Sequence, residues 1–73
     1  MTELQLKIQD LEYTVAELKK ELRRIKSAIN KVEKIGLTTP SEILFKKEDI
    51  ESILKERKEE LKALKKVVKL LIK

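Results

Sequence analysis

An unbroken heptad pattern constrains this chain more than any other feature. Through the first half of the sequence, apolar residues recur at alternating intervals of four and three, at Leu4, Ile8, Leu11, Val15, Leu18, Leu22, Ile25, Ile29 and Val32. This spacing places one apolar stripe along a helix. Because no Gly or Pro interrupts residues 2 to 35, the pattern predicts a first helix over about 2–35, roughly 50 Å long at ~1.5 Å per residue.

The second half of the chain repeats the spacing less regularly. Its stripe positions are Ile43, Lys47, Ile50, Leu54, Arg57, Leu61, Leu64, Val68 and Leu71. We predict a second helix over about 40–72, with room for a break near residues 46–49. Arg57, at an inward position, either pairs with Glu17 or Glu21 across the seam or extends its charged head to water while its stem packs.

The junction carries helix stop and start signals. Gly36 follows the first stripe, where a left-handed residue would close the helix and let Leu37 fold back on Val32. In the segment Thr39-Pro40-Ser41-Glu42, Thr39 suits an N-cap, Pro40 the first helical position and Glu42 the reciprocal cap. These signals predict a turn at residues 36–39 and a reversal of chain direction.

Charge distribution favours an antiparallel hairpin over a parallel coiled coil of two first helices. Residues 1–18 carry a net charge of −3, residues 19–36 +5, residues 37–60 −2 and residues 61–73 +5. Folding at the turn sets blocks of opposite sign side by side, whereas an in-register parallel dimer would set +5 against +5. Blocks of charge select orientation even though each exposed pair stabilises little. We therefore predict an all-α, coiled-coil-like antiparallel two-helix hairpin forming one domain over residues 1–73.

A lone hairpin buries little apolar surface, because each helix has only one neighbour. Apolar residues also widen both stripes: Ile53 and Val67 on one side of the second stripe, Leu44 and Ile72 on the other, and Ala28 and Ile35 beside the first. Two hairpins could bury these wider faces as a four-helix bundle. We expect a homodimer rather than a monomer.

Composition argues against catalysis. The chain contains neither Cys nor His, which removes thiolate chemistry, the commonest general base and the commonest transition-metal ligand. No glycine-rich phosphate loop is present, and two helices provide no deep pocket. We therefore predict a non-enzyme with no catalytic, cofactor-binding or metal-binding residues, no cofactor and no small-molecule substrate.

Sequence features also bear on location and on thermal stability. No apolar run approaches the roughly 18 residues of a membrane span, and the first residues do not begin a signal peptide, so the expected location is cytoplasmic. The basic C-terminal segment has in the first helix a partner for its apolar side, which argues against membrane binding. Abundant Glu and Lys with only three amide residues suggest a thermostable protein.

Two surfaces could carry function. A phosphate-binding surface would use basic side chains, the candidates being Lys20, Arg23, Arg24, Lys31, Lys34, Lys62, Lys66 and Lys69. A partner surface would use apolar residues that the stripes leave exposed, namely Leu6, Tyr13, Phe45, Ile53, Val67 and Leu70. The favoured interpretation is a non-catalytic structural or adaptor module that engages a protein partner or itself through helical packing. The alternative is a small basic RNA- or DNA-binding hairpin dimer.

Overall fold

The computed structural model describes residues 2–71. It contains two α-helices, α1 (Glu3–Lys34) and α2 (Ser41–Leu71), which pack against each other along their length. The hairpin is elongated, measuring 57 Å by 16 Å by 16 Å, and its Cα radius of gyration is 16.7 Å. A compact chain of this length would have a radius of gyration of only about 11 Å. The predicted all-α antiparallel hairpin is confirmed.

The seam between the helices follows the heptad pattern. All nine stripe positions of α1 are buried or half-buried, as are the stripe positions of α2 from Ile43 to Val68. Leu71, at the open end, is 73% exposed. Among residues 2–71 the buried hydrophobic side chains are Leu11, Val15, Ile25, Ile50 and Leu54. The core is therefore one thin line of side chains along the contact between the two helices.

A capping box that the sequence analysis did not identify begins α1. The Thr2 hydroxyl oxygen accepts a hydrogen bond from the Gln5 amide at 3.2 Å, and the Gln5 side-chain oxygen accepts one from the Thr2 amide at 3.1 Å. The pattern of Thr followed three residues later by Gln is a known helix-start signal. It could have been found in the sequence.

The end of α1 is a Schellman motif, as predicted. The Leu37 amide donates to the Val32 carbonyl at 3.2 Å, and the Gly36 amide donates to the Glu33 carbonyl at 3.0 Å. Gly36 has a φ of +82°, in the left-handed region that glycine adopts without a steric penalty. These two bonds satisfy carbonyl groups that the end of the helix would otherwise leave unpaired.

Substitution of Gly36 tests this turn. A Cβ atom at this position would meet nothing within 4 Å, so any cost arises from the backbone conformation alone. Gly36→Val should lower the free energy of unfolding by more than about 1 kcal/mol, because a β-branched residue is strained at positive φ. Gly36→Asn, which tolerates this region better, is the matched control and should cost less. Equal denaturation midpoints for Gly36→Val and the wild type would contradict this account of the turn.

The start of α2 differs from the prediction. The Pro40 carbonyl accepts hydrogen bonds from the amides of Ile43 and Leu44, at 3.1 and 3.3 Å, so the helix begins one residue later than a Thr39 cap requires. Thr39 is 8% exposed, and its hydroxyl oxygen is buried with no hydrogen-bond partner among the residues the structure describes. The predicted reciprocal capping by Thr39 and Glu42 is wrong, because Thr39 is buried at the turn end of the seam.

The predicted weak point in α2 is also absent, since the helix runs without interruption through residues 46–49. Lys47 is half-buried at its stripe position. The guanidinium of Arg57 donates to the Glu60 carboxylate at 2.9 Å, within the same helix, and does not pair with Glu17 or Glu21. A long basic side chain can line a seam with its methylene groups while its charge reaches water. The two basic positions therefore leave the helix unbroken.

Candidate functional site

Two ion pairs define the two sides of the hairpin. Within the described residues, Lys46 on α2 approaches Glu21 on α1 at 3.8 Å, and Lys65 approaches Glu12 at 3.9 Å. Nine residues separate Glu12 from Glu21, which places them about half a turn apart on α1 at ~100° per residue. The two pairs therefore lie on opposite sides of the seam. All four side chains are more than two-fifths exposed. The pairs therefore show how the two helices are aligned but contribute little to the stability of the hairpin.

The side that contains Glu21 and Lys46 combines apolar residues with charges of both signs, and we name it the Ile53 side. Residues seven apart lie in one row along a heptad-patterned helix. The row through Lys46 continues with Ile53, Glu60 and Val67, and the row through Glu21 contains Lys7, Thr14 and Ala28. The next row of α2 on this side contains Ala63 and Leu70 together with Glu42, Asp49 and Glu56. Ile53 is 41% exposed and Val67 is similarly open.

The opposite side, which we name the Lys65 side, is basic. The row through Glu12 continues with Lys19 and Lys26, and the row through Lys65 contains Leu44, Glu51 and Lys58. An open depression on this side has Val15 and Leu61 in its lining, surrounded by Lys19, Lys58, Lys62 and Lys65. The hairpin thus brings a lysine of α1 to three lysines of α2. Sequence reasoning did not group these four lysines, because the grouping depends on the pairing of the two helices.

The other basic candidates lie apart from this depression. Lys20, Arg23, Arg24 and Lys31 surround Ser27 and Ala28 on α1, and Lys34 is in the last turn of that helix. Lys66 and Lys69 lie toward the open end on α2, and all of these side chains are exposed. The hairpin therefore does not join the predicted residues of the two helices into one surface.

The six predicted partner residues are all exposed, but they do not form one patch. Ile53, Val67 and Leu70 lie on the Ile53 side. Leu6 and Tyr13 lie seven residues apart on the outward face of α1, and Phe45 lies on the outward face of α2 near the turn. The largest group is therefore the one on the Ile53 side, which also contains Ala28 and Ala63.

The described residues also bear on two other kinds of site, metal centres and membrane spans. Over residues 2–71 no three acidic side chains cluster in a way that could hold a metal ion. Neither α1 nor α2 is long and apolar enough to cross a membrane. Comparison with protein-family models, with curated proteins and with solved structures finds no match. Functional inference therefore rests on the chemistry of the two sides of the hairpin.

Proposed function

We propose that this protein is a non-catalytic structural or adaptor module that acts by packing its helices against another helical surface, either a second copy or a partner protein. The observation that carries the proposal is surface area. The chain exposes 6119 Å², whereas a compact monomer of 8.6 kDa would expose only about 4,700 Å². The excess, about 1,400 Å² by the same scaling, is more than the ~800 Å² per partner that a stable protein–protein interface removes from water.

The nature of the exposed surface supports the same proposal. Within residues 2–71, ten large hydrophobic side chains are exposed, against five hydrophobic side chains in the core. Single exposed apolar residues are normal on protein surfaces. An excess of exposed over buried ones leaves much of the available hydrophobic stabilisation unused in the isolated hairpin. Packing against another helical surface would recover part of it.

Solution mass tests the proposal directly. Sedimentation equilibrium from micromolar to millimolar concentration should give a mass above that of one chain, and the melting temperature should rise with concentration. A single-chain mass throughout this range, with a concentration-independent melting temperature, would contradict self-association. The proposal would then hold only for a partner protein, and it predicts that an added helical partner polypeptide raises the melting temperature of the hairpin.

The lysines of the Lys65 side favour a second candidate function, which is binding of RNA or DNA through the phosphate backbone. Lys19, Lys58, Lys62 and Lys65 surround one depression, and such a group can follow a polyanion without reading its sequence. The two aromatic residues, Tyr13 and Phe45, lie on the outward faces of the helices. Binding would therefore depend on charge rather than on stacking with bases.

Salt dependence tests this candidate. If the four lysines contact four phosphates of a duplex, log affinity should fall against log salt with a slope near −3.6, at ~0.9 per phosphate. The double variant Lys19→Gln/Lys62→Gln should reduce the slope by about 2. Lys20→Gln/Lys66→Gln removes the same charge from outside the depression and serves as the control. No binding to duplex or single strand at low salt would exclude this function.

A further inference from the structure

We infer that copies of this hairpin stack side by side and point in the same direction, with the Lys65 side of one copy covered by the Ile53 side of the next. This inference rests on the proposed helical-packing function and specifies the occupant, the two sides and the direction. Because each copy uses two different sides, every added copy leaves one side of each kind free, as in a heterologous contact that does not close a ring. The stack is therefore open-ended, unlike the closed four-helix bundle that two hairpins could form.

The hairpin divides along its length into two halves that differ in charge. Judged from the two interhelical ion pairs, residue 19 of α1 is level with about residue 53 of α2. We name residues 3–19 and 53–71 the open half, and residues 20–34 and 41–52 the turn half. On either helix, each side of the hairpin comprises the row beside the seam and the next row outward.

The Lys65 side has a net charge of +5 in the open half. Its acidic residue there is Glu12, and its basic residues are Lys19, Lys55, Lys58, Lys62, Lys65 and Lys69. In the turn half the same side is neutral, because three basic residues balance three acidic ones, namely Arg23, Lys26 and Lys47 against Glu33, Glu48 and Glu51. Lys47 belongs to this side because its stripe row continues with Leu61 and Val68, which line depressions there.

The Ile53 side has the opposite sign in the open half, with a net charge of −3. Its basic residues there are Lys7 and Arg57, and its acidic residues are Glu3, Asp10, Glu17, Glu56 and Glu60. Arg57 belongs to this side because its guanidinium contacts Glu60 at 2.9 Å. The turn half is again neutral, with Arg24, Lys31 and Lys46 balancing Glu21, Glu42 and Asp49. The other charged residues of the two helices lie on the outward faces and are Lys20, Lys34, Glu59 and Lys66.

These charges distinguish one contact between two copies from all others. Two Lys65 sides would set +5 against +5 or against a neutral half, and two Ile53 sides would set −3 against −3 or against a neutral half. A Lys65 side on an Ile53 side with the directions opposed also sets each charged half against a neutral one. With the directions the same, +5 meets −3 and the two neutral halves meet each other. Blocks of opposite charge select orientation although each exposed pair stabilises little.

An apolar contact agrees with this direction. At the open end of the Lys65 side, the half-buried side chains of Ile8 and Val68 lie in a depression that is otherwise lined by Gln5, Gln9, Lys65 and Lys69. On the Ile53 side Val67 is 44% exposed, and as the neighbour of Val68 in the sequence it lies within ~1.5 Å of the same height. Stacking in the same direction without sliding therefore places Val67 of one copy opposite this depression of the next. Burial of Val67 there would add hydrophobic stabilisation to the charge attraction.

The dimensions of the hairpin fit a second copy as the occupant. One side of the molecule measures 57 Å by 16 Å, or about 900 Å² in projection, and a stable interface buries ~800 Å² per partner. An occupant must therefore follow nearly the whole length of the hairpin, which another hairpin stacked without sliding does. For each side, the surface with the complementary charge and apolar position is the other side of the same chain.

Sedimentation velocity at low salt tests whether association is open-ended. With rising concentration, the wild type should form dimers, trimers and larger species in turn, with dissociation constants for successive steps equal within ~3-fold, and added salt should weaken every step. A mass that stops at two chains would overturn the inference while leaving helical packing in place. A single-chain mass at every concentration would overturn this inference and self-association together.

Charge reversal on one side at a time should block growth of the stack. Lys58→Glu/Lys62→Glu changes the open half of the Lys65 side from +5 to +1, and Glu17→Lys/Glu56→Lys changes that of the Ile53 side from −3 to +1. Each double variant should associate with itself at least ~10-fold more weakly than the wild type at low salt. A double variant that assembles alone as the wild type does would overturn the proposed pairing of sides.

Mixing the two double variants tests the pairing directly. The first variant keeps an intact Ile53 side and the second an intact Lys65 side, so an equimolar mixture should form a one-to-one complex with a dissociation constant within ~3-fold of the wild-type step. The complex should not grow further, because both of its free sides are blocked. A contact between like sides cannot give this result, since one variant alone would then still dimerise. A mixture that stays monomeric where the wild type assembles would overturn the inference.

Reversal of two outward charges is the matched control. Lys20→Glu/Lys66→Glu makes the same change in net charge as the first double variant but leaves both sides of the hairpin intact. It should change self-association by less than ~3-fold at low salt, because the outward faces take no part in the stack. Helicity by circular dichroism at high protein concentration confirms that all three double variants fold.

Cross-linking tests the direction. The chain contains no cysteine, so single cysteines can be placed in separate copies. A short bis-maleimide should join Val67→Cys of one copy to Lys69→Cys of another, because the two positions lie at the open end on complementary sides. Leu44→Cys, on the Lys65 side near the turn, is the matched control and should not be joined to Val67→Cys. Preferential linkage of Val67→Cys to Leu44→Cys would overturn the shared direction.

Discussion

Leu54→Ala should lower the free energy of unfolding by about 2–5 kcal/mol, which is the usual cost of truncating a buried leucine. Leu54 is 7% exposed near the middle of α2 and belongs to the buried core. Because the buried line of this hairpin is so thin, few neighbours can move to fill the space that the substitution leaves. Denaturant titration at one fixed protein concentration is the measurement, since association would also contribute to stability.

Two matched leucines on α2 serve as controls for this prediction. Leu61→Ala, at a half-buried stripe position, should cost less than Leu54→Ala. Leu71→Ala, at an exposed position of the open end, should change stability by only about 0.5 kcal/mol or less. Equal costs at the three positions would contradict the gradient of burial along the seam.

The heptad stripe was the most informative feature of the sequence because it depends only on spacing. Every apolar stripe position from Leu4 to Val32 is buried or half-buried, and the turn ends α1 through Gly36 as predicted. Both features are local, since helix periodicity and a left-handed glycine are specified by adjacent residues. The folded structure therefore agrees with these local preferences.

Predictions failed where tertiary packing competes with a local preference. Thr39 is a residue type that favours N-cap positions, but its place at the end of the seam buries its side chain. The possible break near residues 46–49 is absent, because the stem of Lys47 can line the seam while its charge reaches solvent. In both cases the deciding interaction is with the other helix, which a window of neighbouring residues does not contain.

The charge blocks predicted the orientation of the two helices correctly, but they predicted only one of the two ion pairs between the helices. Glu12 and Lys65 join the acidic first block to the basic last block, as expected. Glu21 and Lys46 reverse the expected order, because here the acid belongs to the basic block of α1 and the base to the acidic block of α2. A summed charge describes a field over many residues, whereas an ion pair depends on which two side chains share a row.

The two chemically different sides of the hairpin are harder to derive from the sequence than the stripes are. Placing Ile53 beside Ala28, or Lys58 beside Lys19, requires the heptad assignment of both helices at once. Basic residues at two stripe positions of α2, Lys47 and Arg57, weaken that assignment. The pairs of Glu21 with Lys46 and of Glu12 with Lys65 supply the missing register.

A peptide of residues 1–36 should not form the parallel coiled coil that its apolar stripe alone would allow. In-register parallel strands set the +5 block against +5 and the −3 block against −3. An antiparallel neighbour, which α2 provides in the hairpin, instead meets each block with charge of opposite sign. At micromolar concentration and low salt we therefore expect no stable parallel pair, because repulsion between whole blocks acts over a Debye length of about 30 Å at 0.01 M.

Disulfide exchange between two forms of this peptide measures the preference. One form carries a cysteine before residue 1 and the other a cysteine after residue 36, so mixed disulfides hold the strands antiparallel and like disulfides hold them parallel. At low salt the ratio of mixed to like disulfides should exceed its statistical value about tenfold, and added salt should reduce the excess as screening increases. The cysteine-free peptide at high salt, where the blocks are screened, controls for association through the apolar stripe alone. An excess of the parallel disulfides at low salt would contradict the charge-block argument for the antiparallel hairpin.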